Sequence, residues 1–207
     1  TILSVVEHCP PAGTEIAFID IGDGPVPGKP GLLKSVQVSK VSQAGQLRNT
    51  EARIQGLKFR ADTLLFGDIA DCLQGTSTGD TPRFVYHFWE IPAIRVPWHR
   101  WVTSSDSMNP FDNRSMIVRW DGDMGVVGAP GSAIRGVEGW GRPGVSVTQM
   151  GNLSPSLYHG ERFDTNAAAV VPKNPNDNPA LSRFATSPDF VPTVRALVYS
   201  TQVTNGA

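Results

Sequence analysis

The sequence predicts an α+β fold, rich in short strands and poor in long helices, and three observations carry that expectation. Its 207 residues are 40% hydrophobic and 18% charged, the balance of a globular chain able to bury a sizeable core rather than a disordered or membrane-embedded one. Its 21 glycines and 17 prolines interrupt it too often for long helices. Apolar, β-branched and aromatic runs of strand length recur between these breaks, and helical spacing competes only near the C-terminal end.

In chain order, TEIAFIDIG (Thr14 to Gly22) is a short apolar run with β-branched residues between turn signals, and reads as a buried strand. The following DGPVPGKPG breaks the chain. It is not a phosphate loop, because Asp23 stands where the first glycine belongs and Pro30 follows Lys29 in place of Ser or Thr. From Leu32 to Val41, LLKSVQVSKV alternates as a strand does, and SQAGQLRNTEARIQGLKF is a polar connector with weak helical character. In RADTLLFGDIADCLQG an apolar run leads to Gly67-Asp68, which opens a single helical turn through Ile69 to Leu73.

The turn-forming residues Gly75 to Asp80 then run into RFVYHFWEI, which has the aromatic and branched composition of a strand. SMIVRWDGDMGVVG reads as a hairpin turning at Asp121-Gly122, since Asp-Gly supports the positive φ such turns need. GVSVTQM and DTNAAAVVP supply further strands, with GNLSPSLYHGERF separating them, and NPALSRFA and PDFVPTVRALVYS carry the helical spacing.

The net charge of −1 conceals an asymmetry: 13 of the 18 basic residues are arginine, a planar donor suited to carboxylates, phosphates and guanine edges. Near-neutrality speaks against a stand-alone nucleic-acid binder, so DNA contact would draw on another domain. Cys9 and Cys72 form no CxxC pair and read as reduced thiols. The four histidines, His8, His87, His99 and His159, share no metal-ligand spacing and read as packed or surface residues. Trp89, Trp98, Trp101, Trp120 and Trp140 read first as core residues, with a stacking platform for bases or sugars as the rival. There is no Gly-x-Ser-x-Gly elbow, no secretory leader and no apolar run of membrane-spanning length, so the expectation is a cytoplasmic protein without a membrane partner.

Gly67-Asp68-Ile69-Ala70, Gln74-Gly75, Thr78-Gly79-Asp80, Arg83-Phe84 and Trp89-Glu90-Ile91 together resemble a signature of large bacterial adenine-specific DNA methyltransferases. The signature belongs to the target-recognition region of the type IIG restriction-modification enzymes and of the methyltransferases of BREX- and DISARM-like phage-defence systems. MIVRWDGD and the stretch from Gly139 to Pro172 are similar to later parts of that region. The sequence departs from the pattern at Thr81 and Pro82, where the family has Asn and a charged residue, and lacks its Lys-Gly-Gly after the aromatic strand.

The resemblance implies that residues 61–207 are a β-rich, mixed target-recognition domain with short helices, and that the chain ends within it. Residues 1–60 would be the tail of the catalytic domain and a strand-containing connector. The family's catalytic Asn-Pro-Pro-Tyr and its S-adenosylmethionine motif are missing from these 207 residues. The resemblance therefore implies no cofactor and no catalytic residue here, with S-adenosylmethionine bound elsewhere in the parent chain. Its partners would be double-stranded DNA, the catalytic methyltransferase domain of the same parent, and other defence-system subunits.

The residues expected to face DNA are Gln74, Thr76, Ser77 and Thr78 in the loop, with Arg83, Arg100, Arg114 and Arg142 for phosphate or guanine contact. The aromatic half of the signature reads as scaffold. Rival readings are a non-enzymatic β-rich carbohydrate- or protein-binding module, and an independent hydrolase.

Overall fold

The computed structural model describes residues 15–19, 26–47, 66–122, 130–197 and 203. The chain divides into two compact units, Thr1–Thr63 and Leu64–Ala207.

In the first unit β1 (Glu15–Phe18) pairs antiparallel with β2 (Ser39–Ser42), in a register that sets Glu15 opposite Ser42 and Phe18 opposite Ser39. Side chains along β1 alternate between exposed and half-buried, so it is not the buried strand the sequence suggested. A strand in a two-stranded ladder has one neighbour and a wet face, and the exposed ion pair Lys40 to Glu15 (3.2 Å) fits that setting.

The strand expected from Leu32 is instead helical over its first part. α1 (Lys29–Ser35) carries Pro30 in its opening turn, where the missing N–H would have had no partner anyway, and the Val36 N–H closes it on the Leu32 carbonyl. β2 begins only at Ser39. The Ser42 hydroxyl then caps α2 (Gln43–Gln46) by accepting the Gly45 N–H. Thr14, residues 20–22 and the connector from 48 onward lie outside the described residues.

The second unit contains α3 (Phe66–Ile69), β3 (Ala70–Gln74), α4 (Thr81–Phe84), β4 (Val85–His87), β5 (Trp98–Val102), β6 (Met116–Arg119), β7 (Gly144–Thr148), β8 (Pro155–Tyr158), β9 (Arg162–Phe163), β10 (Ala167–Pro172), α5 (Asn178–Ala185) and α6 (Phe190–Leu197). One sheet runs β3-β10-β7-β8 and is antiparallel throughout. The other runs β4-β6-β5-β9, its last pair parallel. Helices and sheets together make this an α+β protein, as the composition foretold.

Several elements differ from expectation for identifiable reasons. The helical turn after Gly67 stops at Ile69, because Ala70 to Gln74 find a full ladder along β10, from Pro172 opposite Ala70 to Ala168 opposite Gln74. RFVYHFWEI is a strand only over Val85–His87. Arg83 and Phe84 finish the turn begun at Thr81-Pro82, and Phe88–Glu90 form a 3-10 turn in which the Glu90 carboxylate accepts the His87 N–H at 2.6 Å. GNLSPSLYHGERF supplies β8 and β9; Pro155 is tolerated because β8 is an edge strand. β6 pairs with β4 and β5, and a hairpin partner beyond Gly122 would lie outside the described residues.

The core lies on both sides of β10, whose sequence AAAVVP is buried at every position. Val170 faces Ala70, Val145 and Val147 beneath Leu181, Ala185 and Phe190 of the helices. Ala167, Ala169 and Val171 face the other way, onto Tyr158 of the first sheet and Val102 and Phe163 of the second. A third cluster packs Trp101, Val118 and Trp120 against Phe84, Val85, Met116, Ile134 and Trp140.

Phe163 is the side chain most placed to feel a separation of the sheets, being 1% exposed and edge-on to Tyr158. Phe163→Ala is expected to lower unfolding stability by about 3–5 kcal/mol, measured by denaturant titration with an unchanged slope.

Candidate nucleic-acid interface

The segment Gln74 to Arg83 leaves β3 and enters α4, so it passes from the first sheet to the second. Its backbone is fixed on the way. The Thr76 N–H donates to the Phe163 carbonyl at 2.8 Å, and Ser77 exchanges two hydrogen bonds of 2.9 Å with Ala133. The Thr76 hydroxyl donates to the Arg135 carbonyl (3.0 Å) and accepts the Arg135 N–H (3.1 Å), all at 1% exposure. Ser77 Oγ donates to the Gly131 carbonyl (3.0 Å), and the Thr78 and Thr81 hydroxyls lie 3.0 Å apart, with Thr78 buried.

Glycine is required at two points of this crossing. A Cβ at Gly75 would overlap the Asp164 carbonyl, and Gly79 holds a left-handed φ of 69° against the backbone of Pro130 to Ser132. The hydroxyls of Thr76 and Thr78, expected to face DNA, are buried and bonded within the fold; that of Ser77 also has a partner in the chain but lies at the half-exposed surface. Gln74 and Arg83 remain exposed, the Arg83 guanidinium lying 5.1 Å from the Phe84 ring centre.

The four expected arginines divide in the same way. Arg114 is a clamp: its guanidinium pairs with Glu161 (2.8 Å), donates to the Leu157 carbonyl (2.7 Å) and meets His159 Nδ1 (2.8 Å). Arg142 holds the carbonyls of Glu138 (3.2 Å) and Pro172 (3.3 Å) and the Asp71 carboxylate (3.4 Å), fastening a turn to the edge of the first sheet. Both guanidiniums are thus tied into the fold, with side chains 34% and 38% exposed. Arg100 is exposed; it donates to the Arg114 carbonyl (3.1 Å) and its guanidinium lies 5.7 Å from the Phe88 ring centre.

The five tryptophans form no common platform. Trp101 and Trp120 are 2% and 5% exposed, and the Arg162 guanidinium lies 4.7 Å and 4.5 Å from the ring centres of Trp120 and Trp140. Arg162 also donates to His99 Nδ1 at 2.9 Å, which fixes that nitrogen as an acceptor and the imidazole as neutral. Burial first, and the Arg162 charge second, hold His99 below the usual histidine range. Arg162 carried no separate signal in the sequence, since nothing marks an arginine as a core residue before its aromatic partners are assembled.

Cys72 is a free thiol whose pKa burial pushes up to about 11, so it is no nucleophile at neutral pH; Cys9 lies outside the described residues. Among the described residues no group of three or more His, Cys, Asp or Glu could hold a metal ion, and no helix is long and apolar enough to cross a membrane.

Part of the aromatic stretch is exposed: Tyr86, Phe88 and Trp89 keep 36%, 42% and 62% of their surface in water. Ladder pairing sets Tyr86 opposite Ile117 and Ile117 opposite Arg100, with Trp98 opposite Arg119 on the same side. Phe88 continues that side by donating its N–H to the Ser115 carbonyl. This face thus carries aromatic rings and guanidiniums beside Ile117, which is itself fully buried. The period-two spacing of Tyr86 and Phe88, and of Trp98 and Arg100, was the sequence signal for it.

Compared with known proteins, the chain matches no protein-family model and has no significant relative among curated sequences.

Two measurements check this assignment of roles. Thr76→Val leaves the Arg135 backbone groups unpaired and is expected to cost about 1–3 kcal/mol of unfolding free energy, with surface binding by the folded molecule unchanged. In an NMR titration His99 is expected to protonate below the ordinary value of 6.5. Because its folded pKa is depressed, the stability it contributes is complete above the unfolded value and declines as pH falls through the folded one.

Proposed function

We propose that this chain is the DNA sequence-recognition fragment of an adenine-N6 DNA methyltransferase of a restriction-modification or phage-defence system, acting in the cytoplasm. It holds duplex DNA in register while a catalytic domain outside these residues flips an adenine and methylates it from S-adenosylmethionine. Extruding a base costs a few kcal/mol, so contacts elsewhere on the duplex must keep the enzyme in place while the stack is open.

The observation that carries this reading is the signature from Gly67 to Ile91, together with its position in the fold. Those residues run from α3 through β3 and β4, and the crossing after β3 is tied by backbone hydrogen bonds to Phe163 of the second sheet and to Ala133. A rigid crossing is the kind of support from which a few side chains can address DNA. Gln74 and Arg83 are the exposed members of the expected DNA-facing set within it. Gln74 has the amide geometry for a bidentate pair with adenine in the major groove, and Arg83 and Arg100 suit phosphate or guanine.

Binding of a duplex pool to the 207-residue chain, followed by anisotropy across a salt series, tests the proposal. Duplex affinity is expected to fall with salt, and Arg83→Ala to reduce the log–log slope by about 1, the share of one phosphate contact. Gln74→Ala is expected to relax preference at one base pair by about 1–3 kcal/mol while leaving the slope intact. Absence of duplex binding by the chain, even when joined to a methyltransferase catalytic domain, would overturn the proposal.

A further inference from the structure

The outer face of the β4-β6-β5-β9 sheet presents Tyr86 and Trp98 with Arg100 and Arg119 on one side of three adjoining antiparallel strands, and Phe88 follows in the turn after β4, its ring centre 5.7 Å from the Arg100 guanidinium. Tyr86 and Phe88 are 36% and 42% exposed, a large aromatic surface to leave in water. The rings are already arranged: Tyr86 meets Trp98 edge-on at 5.3 Å, and Phe88 meets Trp89 edge-on at 5.1 Å. Ile117, which shares this side of the sheet with them, is fully buried, while Tyr86 and Phe88 keep part of their rings in water.

From this face we infer that the sheet binds an unpaired DNA strand, with bases stacking on the Tyr86, Phe88 and Trp98 rings and the Arg100 guanidinium engaging a phosphate. Three features choose that occupant over an apolar protein surface. A cation lies among the rings, the Arg100 guanidinium 5.7 Å from the Phe88 ring centre, as a strand that carries both bases and phosphates requires. Among the described residues Arg100 has only a backbone carbonyl and a ring for partners, so its charge is not neutralised by a carboxylate. The carboxylates nearby are engaged: Asp121 pairs with Arg119 at the exposed rim, and Glu90 is held on the His87 N–H.

The inference rests on the DNA reading and deepens it, since an enzyme that takes a base out of the duplex creates unpaired nucleotides to be held. It also separates from that reading experimentally. Sequence preference would be weak, because every base offers a π-face, and affinity would fall with salt.

The test is a tryptophan-fluorescence titration of the full 207-residue chain with oligothymidylate, with a duplex of equal length, and with heparin as a polyanion lacking bases. Oligothymidylate is expected to quench the fluorescence and to bind more tightly than heparin. Phe88→Ala and Trp98→Ala are expected to weaken it by roughly 5- to 150-fold each. Trp98→Phe, which keeps a ring, should retain affinity while losing part of the quenching, and Phe88→Tyr should bind as the parent does. Thermal melts of the four variants establish that each is folded.

If oligothymidylate binds no better than heparin, or if folded Phe88→Ala and Trp98→Ala bind as the parent does, the inference is overturned. Duplex binding that survives in that case leaves the recognition reading standing. Conversely, oligothymidylate binding lost with the rings, in a chain that never binds duplex, supports the face and overturns the duplex reading.

Discussion

The backbone of Thr76 joins the two sheets of the second unit, and much of the structure depends on that crossing. Its N–H reaches the carbonyl of Phe163 on the second sheet, directly after the strand that pairs with β10 on the first. Its hydroxyl satisfies both backbone groups of Arg135, a residue with no ladder of its own. A buried donor or acceptor left unpaired costs more than a hydrogen bond contributes, so a short side chain that serves as both donor and acceptor is well matched to the position. Gly75 allows the approach, because any side chain there would meet the Asp164 backbone.

Around that crossing the chain uses arginine as an internal fastener. Arg114 ties the segment before β6 to Glu161 and the Leu157 carbonyl; Arg142 ties a turn to Asp71 and Pro172; Arg162 sits against two indoles. The planar fork can reach two or three acceptors at once, which a lysine cannot do with the same geometry. The arginine excess in a nearly neutral chain is thus partly structural. Arg83 and Arg100 are exposed beside aromatic rings, a setting in which a guanidinium keeps its charge while its stem is covered.

The fold class was legible because glycine, proline and strand-length runs report on it directly. β7 and β10 could be read from GVSVTQM and AAAVVP, since strands buried on both faces are continuous apolar runs. Elements that depend on a distant partner were not legible. Ala70 to Gln74 look like the continuation of a helical turn until β10 is beside them, and Pro155 to Tyr158 look like loop until β7 is. α1 was hidden because LLKSV alternates weakly, while its initiation by Pro30 is a local signal that pattern alone outweighed. The site divides on the same line. Hydroxyl and guanidinium groups were correctly singled out as able to bond, but sequence cannot say whether the acceptor is a phosphate or the chain's own carbonyl. Thr76, Arg114 and Arg142 found the latter. The exposed face carried by Tyr86, Phe88, Trp98 and Arg100 was written in period two and became visible once the register was known.

Amide hydrogen exchange of the free chain addresses the central claim, that the glycine-rich segment is a fixed crossing and not an open loop. The N–H groups of Thr76, Ser77 and Ala133 should exchange as slowly as those of β10, since Thr76 is bonded to Phe163 of the second sheet and Ser77 and Ala133 are bonded to each other. Exchange at those three amides as fast as in exposed turns, with β10 still protected, would contradict the account.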